Sequence, residues 1–196
     1  MFKTSAGAGR AIFALAAALS LAAGCAAAQE APRWVVDQAH SQLGFSSQVE
    51  GQGFDGHFQR WDADIRFDPK ALAASKVVVT VETGSMVSGD VQRDQSAQSS
   101  EWFAAAMFPK ATFATRSFKD LGGGKYEADG DLTIRGMTQP VALPFSLDIT
   151  GDRAKLIGQT TVDRSLFGVG QGDYGGPDTV PLAVTVKVDL IATRAK

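Results

Sequence analysis

Two short stretches carry spacing that could do chemistry. GQGFDG (51–56) and GQGDYG (170–175) both match G-x-G-x-x-G, the loop that cradles a dinucleotide pyrophosphate. Such a loop needs a strand before it and a helix after it, because the helix N-terminus supplies free N–H groups and a positive dipole. Neither stretch has that context. HFQRWDADIRFDP follows the first and alternates as a strand does. GPDTVPLAVTVKVDL follows the second, with two prolines before a strand. The glycines therefore predict tight turns and backbone clearance, and no nucleotide partner.

Other chemical constellations are sparse. Asp37, His40 and Ser41 hold the residue types of a triad but lie within one short turn, too close for a relay. No G-x-S-x-G elbow is present. The two histidines, His40 and His57, match no metal-ligand spacing, so no metal or other cofactor is expected. Cys25 is the only cysteine, which excludes an intrachain disulfide. Two adjacent charge pairs remain, Arg93-Asp94 and Asp163-Arg164. Neighbours on a strand face opposite sides, so one member of the second pair must point toward the apolar side and find a partner. Capping backbone at a barrel rim and meeting a polar head group are both open to these groups.

The first 28 residues read as a secretory signal peptide. Lys3 and Arg10 precede the apolar stretch Ala11–Ala23, and Ala26-Ala27-Ala28 offers a cleavage site. A second reading is a lipoprotein signal over 1–24 with a lipidated Cys25, since LAAGC resembles a lipobox and would tether the chain to a membrane. Residues 29–196 then form one domain. Loss of Lys3 and Arg10 leaves 17 basic against 21 acidic residues, a net charge of −4. With no basic run, nucleic acid is not an expected partner.

What must position these residues is a set of strands. Period-2 alternation marks 61–67, 126–135, 141–149 and 182–192, and more weakly 34–37, 41–49, 76–83, 111–118 and 154–164. Helical signals are confined to 69–75 and 90–106, the latter with Ser99 or Ser100 as N-cap and Glu101 in the first turn. The chain lacks asparagine, so glycine and aspartate must carry the turns. Short antiparallel strands with one apolar face close into a barrel, which abolishes edges. The fold expected is all-β, a lipocalin-like up-and-down antiparallel barrel of about eight strands. Up-and-down order puts loops 50–57, 84–110, 135–139 and 168–180 at one rim. The inward set is Leu43, Phe45, Trp61, Ile65, Phe67, Phe113, Leu132, Ile134, Leu143, Phe145, Val162, Val184 and Val186, with Val79 and Val188.

Five motifs in order resemble the YceI-like, or polyisoprenoid-binding, periplasmic proteins. They are WVVDQAHSQLGFS (34–46), GHFQRWDADIRFDP (56–69), Arg93-Asp94 with EWF…MFPKATF (101–113), GDLTIRGMTQPVALPF (130–145) and DRSLFGVGQGD (163–173). The resemblance implies a lipocalin-like barrel whose apolar interior holds a long isoprenoid, either a polyprenyl phosphate or a quinone tail. It implies a periplasmic binding protein and no enzyme. Onto this chain it carries His40, Ser41 and Phe45, Gly56 and Phe58, Arg93, Asp94, Phe103, Phe108 and Phe113, and Asp163, Arg164, Phe167 and Gly168. Head-group candidates at the rim are His40, His57, Arg93, Asp94, Asp163 and Arg164. Where many members have histidine and leucine after Arg-Asp, this chain has Ser96 and Ala97. A lipid-modifying enzyme and a stress-related structural protein with a packed barrel are the alternatives, and a homodimer is left open.

Overall fold

The computed structural model describes residues 30–196; the stretch 1–28 expected to be a signal peptide, and Cys25 within it, lie outside them. Strands β1 (Arg33–Val36) and β2 (Gln42–Val49) pair in succession with the same strand, β11 (Ala183–Arg194). They are one long strand broken by a 3-10 turn at Gln38–His40. At the break Ser41 Oγ donates to Ile191 O and accepts from Ile191 N, which replaces the missing backbone pairing. Strands β3 (Gln52–Phe58) and β4 (Trp61–Arg66) are likewise one strand with a corner at 59–60. Their partners β5 (Lys76–Glu82) and β6 (Met86–Val87) are separated by the turn Thr83–Ser85.

Strands β7 (Lys110–Gly122), β8 (Lys125–Ile134), β9 (Met137–Thr150) and β10 (Arg153–Asp163) complete the ring, and β1 closes it by pairing with both β4 and β11. The result is the closed eight-stranded antiparallel barrel that the alternation predicts. One α-helix, α1 (Val91–Ala97), crosses one end. The second helical signal is a single 3-10 turn, Leu72–Ala74.

Three local expectations are corrected. The helix starts at Val91, because Asp90 accepts from Arg93 N at 3.0 Å and takes the N-cap role. Ser99 and Ser100 follow the helix in tight turns, where Ser99 O accepts from Trp102 N and Ala104 N. Residues 52–58 are a strand and not rim loop, and β9 begins at Met137, within the expected loop 135–139. Both hairpins shrink to two-residue turns, Glu50-Gly51 and Arg135-Gly136, with positive φ at both positions. Type I′ geometry requires that, and here glutamate and arginine occupy the place that asparagine usually takes.

Loop parity holds. Glu50 N donates to Thr179 O, Gly170 N and Gln171 N donate to Glu101 O, and Arg135 donates to Ser100 O and Trp102 O. The 50–51 turn, the 88–109 segment, the 135–136 turn and the 164–182 loop therefore meet at one end. The opposite end is plugged by Trp34, Phe67, Tyr126 and Phe145, with Trp34 Nε1 donating to Phe67 O at 3.0 Å. The Phe67 ring meets Phe118 and Tyr126 edge-on at 5.1 and 5.6 Å. A second cluster of Val162, Phe167 and Val169 packs with Trp102 and Phe103 beneath the loop end.

Candidate functional site

Between the two clusters lies a cavity of about 550 Å³. That volume is within the range of small-molecule sites. All thirteen inward candidates line it: Leu43 and Phe45 from β2, Trp61 and Ile65 from β4 with Phe67 just beyond, Phe113 from β7, Leu132 and Ile134 from β8, Leu143 and Phe145 from β9, Val162 from β10, and Val184 and Val186 from β11. Val79 and Val188 line it too. Alternation does this work, since a one-residue slip would have turned every one of these side chains outward. The first glycine motif serves the same wall. At Gly56 a Cβ would sit 2.4 Å from the Phe45 ring, so glycine there lets the ring lie across β3.

The charged candidates divide. Arg164 is 4% exposed and lines the cavity, yet it faces no carboxylate. Its Nε donates to Pro181 O, Nη1 to Val169 O and Gly170 O, and Nη2 to Gly176 O and Val180 O. All five N–H groups are used, so it has none left for a ligand. Burial pushes its pKa below the usual arginine value. The second glycine motif belongs to this knot: a Cβ on Gly170, at φ +80°, would overlap the guanidinium at 2.0 Å. Asp163 caps the turn after it, accepting from Ser165 N at 2.9 Å and Ser165 Oγ at 2.6 Å. Asp94 accepts from Ser88 N and Ser88 Oγ at 2.8 and 2.6 Å. These three are structural caps and ties.

Arg93 differs. Its guanidinium lies 4.0 Å above the Phe54 ring at the edge of the cavity, 3.8 Å from Asp90, and its Nη1 donates to Ser88 Oγ at 3.1 Å and to Ser88 O at 3.4 Å. It has N–H groups to spare. Near it on β2 is Ser47, paired in register with Phe54. Ser47 Oγ is buried against the cavity and has no hydrogen-bond partner. Sequence reasoning missed Ser47, Phe54 and Trp102. For Ser47 the signal was available: it is the polar break in the inward series Leu43, Phe45, Ser47, Val49.

His40 and His57 are not at the rim, which corrects the expectation for both. His57 is in β3 opposite Gly44, halfway down the wall. His40 ends the 3-10 turn, with Nδ1 2.9 Å from Asp37 Oδ2. That hydrogen bond holds the Asp37 carboxyl below the usual carboxylate range. Both histidines line a polar outer groove with Gln38, Gln59 and Asp189. Ser41, tied twice to Ile191, is not poised as a nucleophile. Among the described residues, no three His, Cys, Asp or Glu side chains gather as a metal site.

The fold and site define a closed antiparallel barrel around one apolar cavity. The YceI-like domain family matches residues 34–192, and the chain belongs to that family. It is 34% identical over 162 residues to a UPF0312 protein of Vibrio campbellii, covering 78% of this chain and 84% of that one. A UPF0312 protein of Vibrio cholerae is 32% identical over 151 residues, covering 72% and 80%. Among solved structures, BcnA of Burkholderia cenocepacia superposes with a TM-score of 0.78 at 30% identity, over 81% of this chain and all of that one. A domain from Saccharophagus degradans described as polyisoprenoid-binding superposes with a TM-score of 0.67 over 84% of this chain and 99% of that one; at 13% identity it shares the fold.

Proposed function

We propose that this protein is an exported binding protein that holds the chain of a long isoprenoid lipid in the barrel, for transport, storage or sensing. The observation that carries the reading is the cavity: mid-barrel, walled by Leu43, Phe45, Phe113, Leu143, Val184 and their neighbours, and closed below by an aromatic plug. A solid interior would favour a structural role, and the interior is not solid. The polyisoprenoid-binding description of the Saccharophagus domain supports the same ligand class. A chain burying about twenty CH₂-sized groups gains about 16 kcal/mol gross, before the costs of association. Burial of the tail then outweighs any single head-group contact, and selectivity among isoprenoids is broad. Arg93 and Ser47, with Gln92 and Ser96 beside them, line the cavity with donors to offer an oxygen. Binding chemistry suffices for this arrangement, and an enzymatic step has no group assigned to it.

Titration calorimetry tests the reading. Geranylgeraniol binds, and a head group stripped of its tail does not. Equal binding of the tail-less compound contradicts the proposal.

A further inference from the structure

The barrel wall has a gap. The ladder between β2 and β3 ends at Gly44 opposite His57, and the ladder between β1 and β4 resumes only at Trp34 opposite Ile65. Residues 35–43 therefore face residues 58–64 with no ladder pair between them. The two breaks that divide these long strands, the turn at 38–40 and the corner at 59–60, fall side by side. One hydrogen bond crosses the gap, from Gln38 Nε2 to Trp61 O at 3.2 Å.

Outside the gap is the polar groove of about 570 Å³ that holds His40 and His57. Inside it is the apolar cavity. Phe58 and Trp61 line both spaces, so those two side chains are the partition.

Both ends of the barrel are packed with side chains. The far end is filled by the Trp34–Phe67–Tyr126–Phe145 plug. At the loop end Phe167, Val169, Trp102 and Phe103 pack under loops that hydrogen-bond one another through Glu101, Thr179, Arg135 and Arg164. Beside α1, where the exposed Asp90, Gln92 and Ser96 also line the cavity, the guanidinium of Arg93 lies across the way out, stacked on Phe54. The wall with the gap is aromatic: Phe45 meets Phe54 and Phe58 at 6.1 and 5.8 Å, and Phe58 meets Phe103 at 6.0 Å.

We infer that the isoprenoid enters and leaves sideways, between Phe58 and Trp61, and that the outer groove receives its oxygen-bearing end during passage. This rests on the binding-protein reading above. Rotating the two aromatic side chains breaks no backbone hydrogen bond, whereas lifting the loops breaks those that Glu101 and Thr179 accept. The groove offers the passing head Gln38, Gln42, Gln59, His40 and His57, which can donate to an alcohol, carbonyl or phosphate oxygen alike.

The test follows release of anthraniloyl-geranylgeraniol from the full chain into phosphatidylcholine vesicles by stopped-flow fluorescence. Gln59, exposed on the groove, is replaced in Gln59→Cys and joined to a long polyethylene-glycol maleimide. The wild-type chain, treated alike, controls for labelling of Cys25. The labelled variant is expected to release the probe at least about tenfold more slowly than the same variant unlabelled. Trp61→Ala is expected to release it about tenfold faster, and Arg135→Ala, which loosens the loop end, within about twofold of wild type. Release that ignores the label, or that speeds up in Arg135→Ala or Arg93→Ala and not in Trp61→Ala, overturns the inference and leaves the binding-protein reading intact. A wild-type chain that takes up no probe overturns that reading and the lateral route with it.

Discussion

The guanidinium of Arg93 lies 4.0 Å above the ring of Phe54, and this stacking joins α1 to the β2–β3 hairpin. Removing it frees one end of a seven-residue helix. Arg93→Ala is expected to lower stability by about 0.5–1 kcal/mol in urea unfolding, and Arg93→Lys to recover only part of that, because a guanidinium stacks where an ammonium does not.

Arg164 is the larger stake. Five carbonyls from the 169–181 segment converge on its five N–H groups. Arg164→Met leaves those carbonyls unpaired in a buried site and is expected to cost at least about 3 kcal/mol. Lysine has three donors and no fork, so Arg164→Lys is expected to fail almost as badly. A loss under about 1 kcal/mol in denaturant unfolding would show the knot to be dispensable.

Ser47 carries the opposite sign. Its hydroxyl is buried and has no hydrogen-bond partner within the protein. Ser47→Ala is expected to stabilise the lipid-free protein by about 1 kcal/mol and to weaken binding of oxygen-bearing isoprenoids. Thermal unfolding of delipidated protein checks the first part and calorimetry the second.

Most of this was legible in the chain. Alternation in 126–135, 141–149 and 182–192 suffices to orient β8, β9 and β11, because a half-buried strand leaves a period-2 trace. The trace fails where the strand breaks. Residues 50–57 carry three glycines and read as a loop, yet Gly56 is the space for Phe45. His57 was accordingly expected at the rim. The five partners of Arg164 are backbone carbonyls, which sequence does not display. The lateral gap depends on two breaks lying side by side in space, and local patterns carry no such information.

The dependence of stability on pH has two edges. Asp37, Asp55, Asp90 and Asp129 are held below the ordinary carboxylate value, first by His40, Ser46, the Arg93 N–H and Lys119 respectively. A carboxylate depressed in the folded state stabilises above its unfolded pKa and loses that contribution as pH falls through the folded one. Stability is therefore flat from neutral to about pH 4 and declines below it. Lys119 is raised to about 12 by Glu127 and Asp129. Its contribution is complete below 10.5, the ordinary lysine value, and is lost as pH rises through about 12. Both edges are shallow, since these groups are solvent-exposed. Lys119→Met removes the alkaline edge, and unfolding curves across pH check it.

The cavity itself admits a direct change. Val186→Trp places an indole in space bounded by Phe45 and Val184. It is expected to reduce lipid uptake severalfold with a stability change under about 1.5 kcal/mol, because the added volume meets a void. Unchanged uptake would place the lipid elsewhere.

Native mass spectrometry of the protein purified from its host without added lipid tests the central claim most directly. The account predicts a retained mass that fragments as an isoprenoid, reduced severalfold in Val186→Trp. A bare chain mass in gentle conditions, for wild type and variant alike, would contradict it.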